Sequence, residues 1–83
     1  MKKKDLRIYF NRLEGKDGCN FRKDDNGNIT WDCKGGKNKD FSYKILKDMN
    51  LTEAEIEGFM EYCEDNGGYC DCEIIFNVRD NVL

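Results

Sequence analysis

The hydrophobic period of this chain changes along its length, and the changes demand both helix and strand. Leu6, Tyr9, Phe10 and Leu13 recur at i, i+3, i+4 and i+7, the spacing that lines one face of a helix. Asp5 is suited to cap its start and Gly15 to end it. The period then shortens to two. Cys19 and Phe21 alternate with polar neighbours, Asp24-Asp25-Asn26-Gly27 supplies turn chemistry, and Ile29, Trp31 and Cys33 alternate in their turn. Two short alternating runs around a turn ending in Asn-Gly predict a β-hairpin.

Beyond the polar loop Lys34 to Lys39, a helical pattern returns from about Asp40 to Met49, with Phe41, Ile45 and Met49 four apart and Leu46 beside them. The Gly-Gly-Lys of the loop lacks both the first glycine and the Ser/Thr of a phosphate-binding loop, which argues against a nucleotide site. Thr52 and Glu55 form a capping box, and Leu51 is placed to pack on Ile56, so a third helix starts here. Its inner face is Ile56, Phe59, Met60 and Cys63, and Asn66-Gly67-Gly68 ends it.

The last segment, Tyr69 to Val78, alternates once more. As a strand it puts Cys70, Cys72, Ile74, Phe76 and Val78 on one side and Tyr69, Asp71, Glu73, Ile75 and Asn77 on the other. The expected fold is α+β, in the order helix, β-hairpin, helix, helix, strand. The final strand joins the hairpin in a three-stranded antiparallel sheet packed on the helices.

At 83 residues the chain has room for a single core, read as one domain over 5–83 behind a basic N-terminal tail, 1–4. No run reaches the roughly 18 to 20 apolar residues of a membrane span, and no signal-peptide pattern follows Met1, so a cytoplasmic location is expected. The chain has no histidine and no proline. Ser-His and Cys-His nucleophile arrangements are therefore excluded, and the chain is not expected to be an enzyme.

An odd count of five cysteines favours reduced thiols over a disulfide framework. The alternation and the helical stripe put all five on apolar sides, where a free cysteine behaves as a small hydrophobe. The alternative is a structural zinc site built from Cys19, Cys33, Cys70 and Cys72, should the hairpin pair with the last strand. The acidic neighbours Asp71, Glu73 and Glu64 oppose the low thiol pKa that reactive cysteines need.

Charge is distributed unevenly. Residues 1–23 carry eight Lys/Arg against three acids, whereas residues 49–83 carry Arg79 against nine acids. Glu53, Glu57, Glu61 and Glu64 form an acidic stripe on the third helix, with no lysine four residues on to neutralise it. Asp71 and Glu73 on the outer sheet face, with Asp32 from the hairpin, form a second carboxylate group. Either surface suits a protein partner with a basic surface, and the function expected is a non-enzymatic protein-interaction module, as a monomer or a homodimer. Lys2, Lys3, Lys4, Arg7 and Arg12 lie near Tyr9 and Phe10, but the helical period commits those rings to the core. Direct nucleic-acid binding is therefore not expected.

The run Gly67-Gly68-Tyr69-Cys70-Asp71-Cys72-Glu73-Ile74-Ile75-Phe76-Asn77-Val78 resembles the C-terminal part of the bacterial domain-of-unknown-function family 2695. Trp31-Asp32-Cys33, the Ile45-Leu46 helix and the Glu-rich helix before the glycines are similar in order and spacing. Members often carry a histidine shortly after the cysteine that matches Cys33, where this chain has Gly35, Gly36 and Lys37. The resemblance implies a compact bacterial or phage-borne cytosolic domain and carries no established activity. Small size and acidity add one contextual expectation, a phage-encoded inhibitor of a host defence complex.

Overall fold

In the computed structural model, which describes residues 2–32 and 38–83, helices dominate. In chain order the elements are α1 (Lys3–Glu14), β1 (Arg22–Lys23), β2 (Ile29–Thr30), α2 (Asp40–Asp48) and α3 (Glu53–Asp65). A C-terminal helical run follows, made of α4 (Asp71–Glu73), a π-helical turn (Ile74–Val78) and α5 (Arg79–Val82). Among the described residues the fold is thus small and mixed α+β, with one short antiparallel sheet.

Leu6, Tyr9, Phe10 and Leu13 of α1 are all buried, as their spacing requires. The helix begins at Lys3, with Lys2 at the cap position, so Asp5 lies inside its first turn instead of capping it. The two strands pair Arg22 with Thr30 and Lys23 with Ile29. Asp24 organises the turn between them, its Oδ1 accepting the N–H groups of Asn26 and Asn28 at 2.9 Å each. Both strands are exposed along their length.

α3 begins as its sequence demands. The Glu55 N–H donates to Thr52 Oγ1 at 3.2 Å, and the Thr52 N–H donates to Glu55 Oε1 at 3.0 Å. It ends in a Schellman turn: Gly67, with φ +86°, donates to the Glu64 carbonyl, and the Gly68 N–H reaches the Cys63 carbonyl at 2.6 Å. α2 ends the same way through Asn50, at φ +66°, with N–H bonds from Asn50 to Lys47 and from Leu51 to Leu46.

The segment 69–78 is where the expected fold fails. It is helical from Asp71, not a strand, and the sheet has two strands, not three. Asp71, Ile74, Ile75 and Val78 are buried, and Val82 packs against the core. Their separations of three, one, three and four residues are helical, and a strand would have required Ile75 outside and Phe76 inside. The reverse is found: Ile75 is buried, while Phe76 is 52% exposed. The Arg79 N–H bonds to the Ile74 carbonyl, an i to i+5 bond that marks the π turn. Burial of Ile74, Ile75 and Val78 contributes about 1.5–3 kcal/mol per side chain, more than the few tenths that β-branching costs in a helix.

The core lies where α1 meets α2 and the C-terminal run, with α3 closing it against α2. Cys19, Cys63, Cys70 and Cys72 are buried in it, whereas Cys33 and the loop residues 34–37 lie outside the described residues. No described helix is long and apolar enough to cross a membrane.

Candidate functional site

Two places concentrate chemistry, and both are built on the C-terminal helical run. The first is the turn Cys70-Asp71-Cys72. Cys70 is extended, with φ −134° and ψ 170°, and the chain becomes helical at Asp71. That bend directs the Asp71 side chain onto the start of α2. Its carboxylate accepts the N–H of Phe41 at 3.1 Å, the N–H of Ser42 at 3.0 Å and the Ser42 hydroxyl at 2.6 Å. The Tyr9 hydroxyl stands 2.7 Å from Ser42 Oγ, so a buried polar line runs from α1 through α2 to the turn. The Asp71 N–H adds a bond to the Asn38 carbonyl at 3.1 Å.

Burial pushes the Asp71 pKa up from the usual carboxylate value, against the bonds from Ser42 and Phe41 that pull it down. Burial raises the Tyr9 pKa as well. These groups are buried and hydrogen-bonded to one another through Ser42. Asp71 was expected on an outward sheet face. It is instead 3% exposed, because a helix start and not a strand carries it.

Around this turn the two sulfurs of Cys70 and Cys72 lie 3.1 Å apart, and Cys70 Sγ donates to Glu73 Oε1 at 3.3 Å. Among the described residues, no three His, Cys, Asp or Glu side chains come together as a metal site. Of the four thiols read as a zinc set, Cys19, Cys70 and Cys72 are buried and Cys33 is outside the described residues. Burial pushes the Cys63 thiol up to about 12, which keeps it protonated and unreactive.

The acids read as partner-binding are dispersed. Glu53 takes the Tyr43 hydroxyl and the Lys47 ammonium, which hold its pKa below the usual value, Lys47 having the larger effect. Glu64 pairs with Lys39, so both ends of the α3 stripe are met by cations of the preceding segment. Glu57 and Glu61 are exposed, and neither is ion-paired to a described residue. Asp32 pairs with Arg22 at 3.1 Å on the exit of the hairpin, and Glu73 is half-buried beside Cys70. Asp32, Asp71 and Glu73 therefore do not form one carboxylate face.

The second place is a cleft of about 540 Å³ between the hairpin and the C-terminal run. Phe21, Ile29, Ile75 and Phe76 supply its apolar wall, and Arg22, Lys23 and Arg79, together with the acids Glu14 and Asp80, its charged edge. Trp31 stacks on Phe21 with centroids 5.3 Å apart and planes 11° apart, and both rings meet Phe76 edge-on. Arg79 is tied to Glu14 of α1 by an ion pair. Ile29 is 56% exposed and Trp31 40%, so this apolar surface faces solvent. The sequence reading missed the cleft because it assigned Ile29, Trp31 and Phe76 to a buried sheet face. The signal available was the basic pair Arg22-Lys23 beside Phe21 in the hairpin.

The model of a family described as "Protein of unknown function (DUF2695)" matches residues 35–77, more than half of the chain. The chain belongs to the DUF2695 family. The part matched to DUF2695 contains α2, α3, the Cys70-Asp71-Cys72 turn and Phe76, while Tyr9, Phe21, Ile29 and Trp31 lie before it. No curated protein and no solved structure matches this DUF2695 chain.

Proposed function

We propose that this domain is a non-enzymatic protein-interaction module, docking a peptide segment of a partner protein in the cleft between the hairpin and the C-terminal helical run. The observation that supports it is the solvent-facing Ile29, Trp31 and Phe76 beside an apolar concavity of about 540 Å³. Clustered exposed apolar surface with polar groups at its border marks interaction sites in soluble domains. Lys23, at an edge where Arg22 and Arg79 are paired with Asp32 and Glu14, complements a segment in which an aromatic or aliphatic anchor is followed by a carboxylate.

The test starts from a displayed library of random short peptides selected on the folded domain. Enriched sequences are expected to pair an apolar anchor with Asp or Glu. Amide shifts on titrating the best peptide should centre on Phe21, Ile29 and Phe76, and Phe76→Ala should weaken binding about tenfold or more. Enrichment of peptides that shift only α3 would remove the proposal.

A second reading is favoured by Glu57 and Glu61, the exposed acids of α3 that carry no ion pair with a described residue. They suit a basic protein surface, and an inhibitor of a host defence complex would belong to this class. Reversal of both to lysine, with folding intact, abolishes binding under this reading and leaves it unchanged under the first.

A further inference from the structure

The contact between Cys70 and Cys72 is not needed for either docking surface. Their sulfurs are 3.1 Å apart, and a disulfide bond is about 2.0 Å long, so roughly one ångström of closure separates the two states. The bend that creates this approach is held from outside the pair. Asp71, between the two cysteines, is fixed through its carboxylate to Phe41 and Ser42 and through its N–H to Asn38. The strand expected from sequence would have kept the two Cβ atoms apart, whereas the extended-to-helical bend brings the thiols to one side.

We propose that Cys70 and Cys72 are a redox-active dithiol, an oxidative modification site that a peroxide closes to an intramolecular disulfide. Glu73 Oε1, 3.3 Å from Cys70 Sγ, is placed to take the thiol proton. The Cys70 sulfur then attacks a peroxide oxygen and the O–O bond breaks. The departing hydroxide takes the proton back from Glu73 as the first water, leaving a sulfenic acid on Cys70. Cys72 attacks that sulfur, the S–O bond breaks as the S–S bond forms, and the released hydroxide leaves with the Cys72 proton as the second water. Two thiols and one hydrogen peroxide thus give one disulfide and two waters. Cys72 is 9% exposed and Cys70 4%, so the reaction requires an oxidant as small as hydrogen peroxide. Cys63, which burial holds as the protonated thiol, does not compete.

The experiment treats the reduced, folded full-length chain with a small excess of hydrogen peroxide and removes the peroxide with catalase. The chain is then unfolded in an alkylating agent and mapped by peptide mass. The expected result is a peptide containing both Cys70 and Cys72 that has lost two hydrogen atoms and takes no label, while Cys63 is fully labelled. A thiol reductant should restore labelling of the pair. Cys72→Ala should stop at a sulfenic acid on Cys70 that dimedone traps, and Glu73→Gln should slow closure about tenfold or more. The wild-type map decides the question if either variant fails to fold. Labelling of both Cys70 and Cys72 after oxidation would overturn the proposal, as would a bridge from either to another cysteine. A zinc ion on the native chain that shields the pair until a chelator removes it would overturn it too.

Discussion

Asp71 caps a helix to which it does not belong: its Oδ1 accepts both the N–H and the hydroxyl of Ser42, a residue 29 positions earlier in the chain. Lys39, at the cap position of α2, has no side-chain bond to the helix start, and Asp71 supplies the missing acceptor across the core. Replacing it with alanine removes the Asp71 acceptor from two backbone N–H groups and leaves the buried Ser42 hydroxyl with Tyr9 alone. Asp71→Ala is therefore expected to lower stability by about 3 kcal/mol, a large share of what a domain of this size has. Urea unfolding should show a fall in midpoint at unchanged slope.

The same carboxylate makes a pH prediction with a definite sign. Burial raises the folded-state pKa of Asp71 above its ordinary 3.8, so between the two values the folded chain holds a proton that the unfolded chain has released. Stability from this group is then present at low pH and lost as pH rises through that window. Glu53 and Glu55 act oppositely. Lys47 and the backbone of Thr52, respectively, lower their pKa values, so their contribution is lost as pH falls. Subtracting the pH–stability curve of Asp71→Asn from that of the wild type should leave a difference that declines above about pH 4.

The cap of α3 is local, and its expected cost is correspondingly smaller. Thr52→Ala removes the acceptor for the Glu55 N–H at an exposed helix start and should cost about 1 kcal/mol, read as a lowered thermal midpoint. Thr52→Ser keeps the oxygen and should sit close to the wild type.

Such local devices were legible in the sequence, and the devices that cross the molecule were not. The capping box, the Gly67-Gly68 stop and the stripe Leu6, Tyr9, Phe10, Leu13 are each written within a few residues, and each appears in the fold. The run 69–78 satisfied two periods at once. Cys70, Cys72, Ile74, Phe76 and Val78 alternate, while Asp71, Ile74, Ile75 and Val78 recur helically, and the alternation by itself predicts a strand. What decides the case is the bond set between Asp71 and α2, whose partners lie 29 and 30 residues away and leave no mark in the local pattern. The same error hid the cleft, because a strand would have covered Ile29 and Trp31 that the helical run leaves open.

Phe76 tests that rearrangement directly. As the inward residue of a strand its loss would open a core cavity costing about 3–5 kcal/mol, whereas at 52% exposure it contributes mainly its edge contacts to Phe21 and Trp31. Phe76→Ala is expected to cost about 1 kcal/mol. Trp31 is the single tryptophan of the chain, so the emission maximum of the folded variant should move to longer wavelength as its ring gains solvent.

Three glycines give the last prediction, because their surroundings differ in sign. A Cβ on Gly18 would lie 2.3 Å from the Leu13 carbonyl oxygen and 2.7 Å from the Leu13 Cα, backbone atoms that cannot turn aside. A Cβ on Gly68 would lie 2.9 Å from Ile74 Cγ1 and from Val78 Cγ2, where the chain leaving α3 passes the C-terminal run. A Cβ on Gly58, in exposed mid-α3, would meet nothing within 4 Å. Gly18→Ala should therefore cost about 3 kcal/mol or more, and Gly68→Ala about 1–3 kcal/mol as the side chains of Ile74 and Val78 yield. Gly58→Ala should instead add about 0.5–1 kcal/mol by restricting the unfolded chain and favouring the helix. Chemical unfolding of the three variants, side by side, should return that order. A destabilising Gly58→Ala would mean that the outer face of α3 is covered in solution, and a neutral Gly68→Ala would mean that the C-terminal run does not pack where α3 ends.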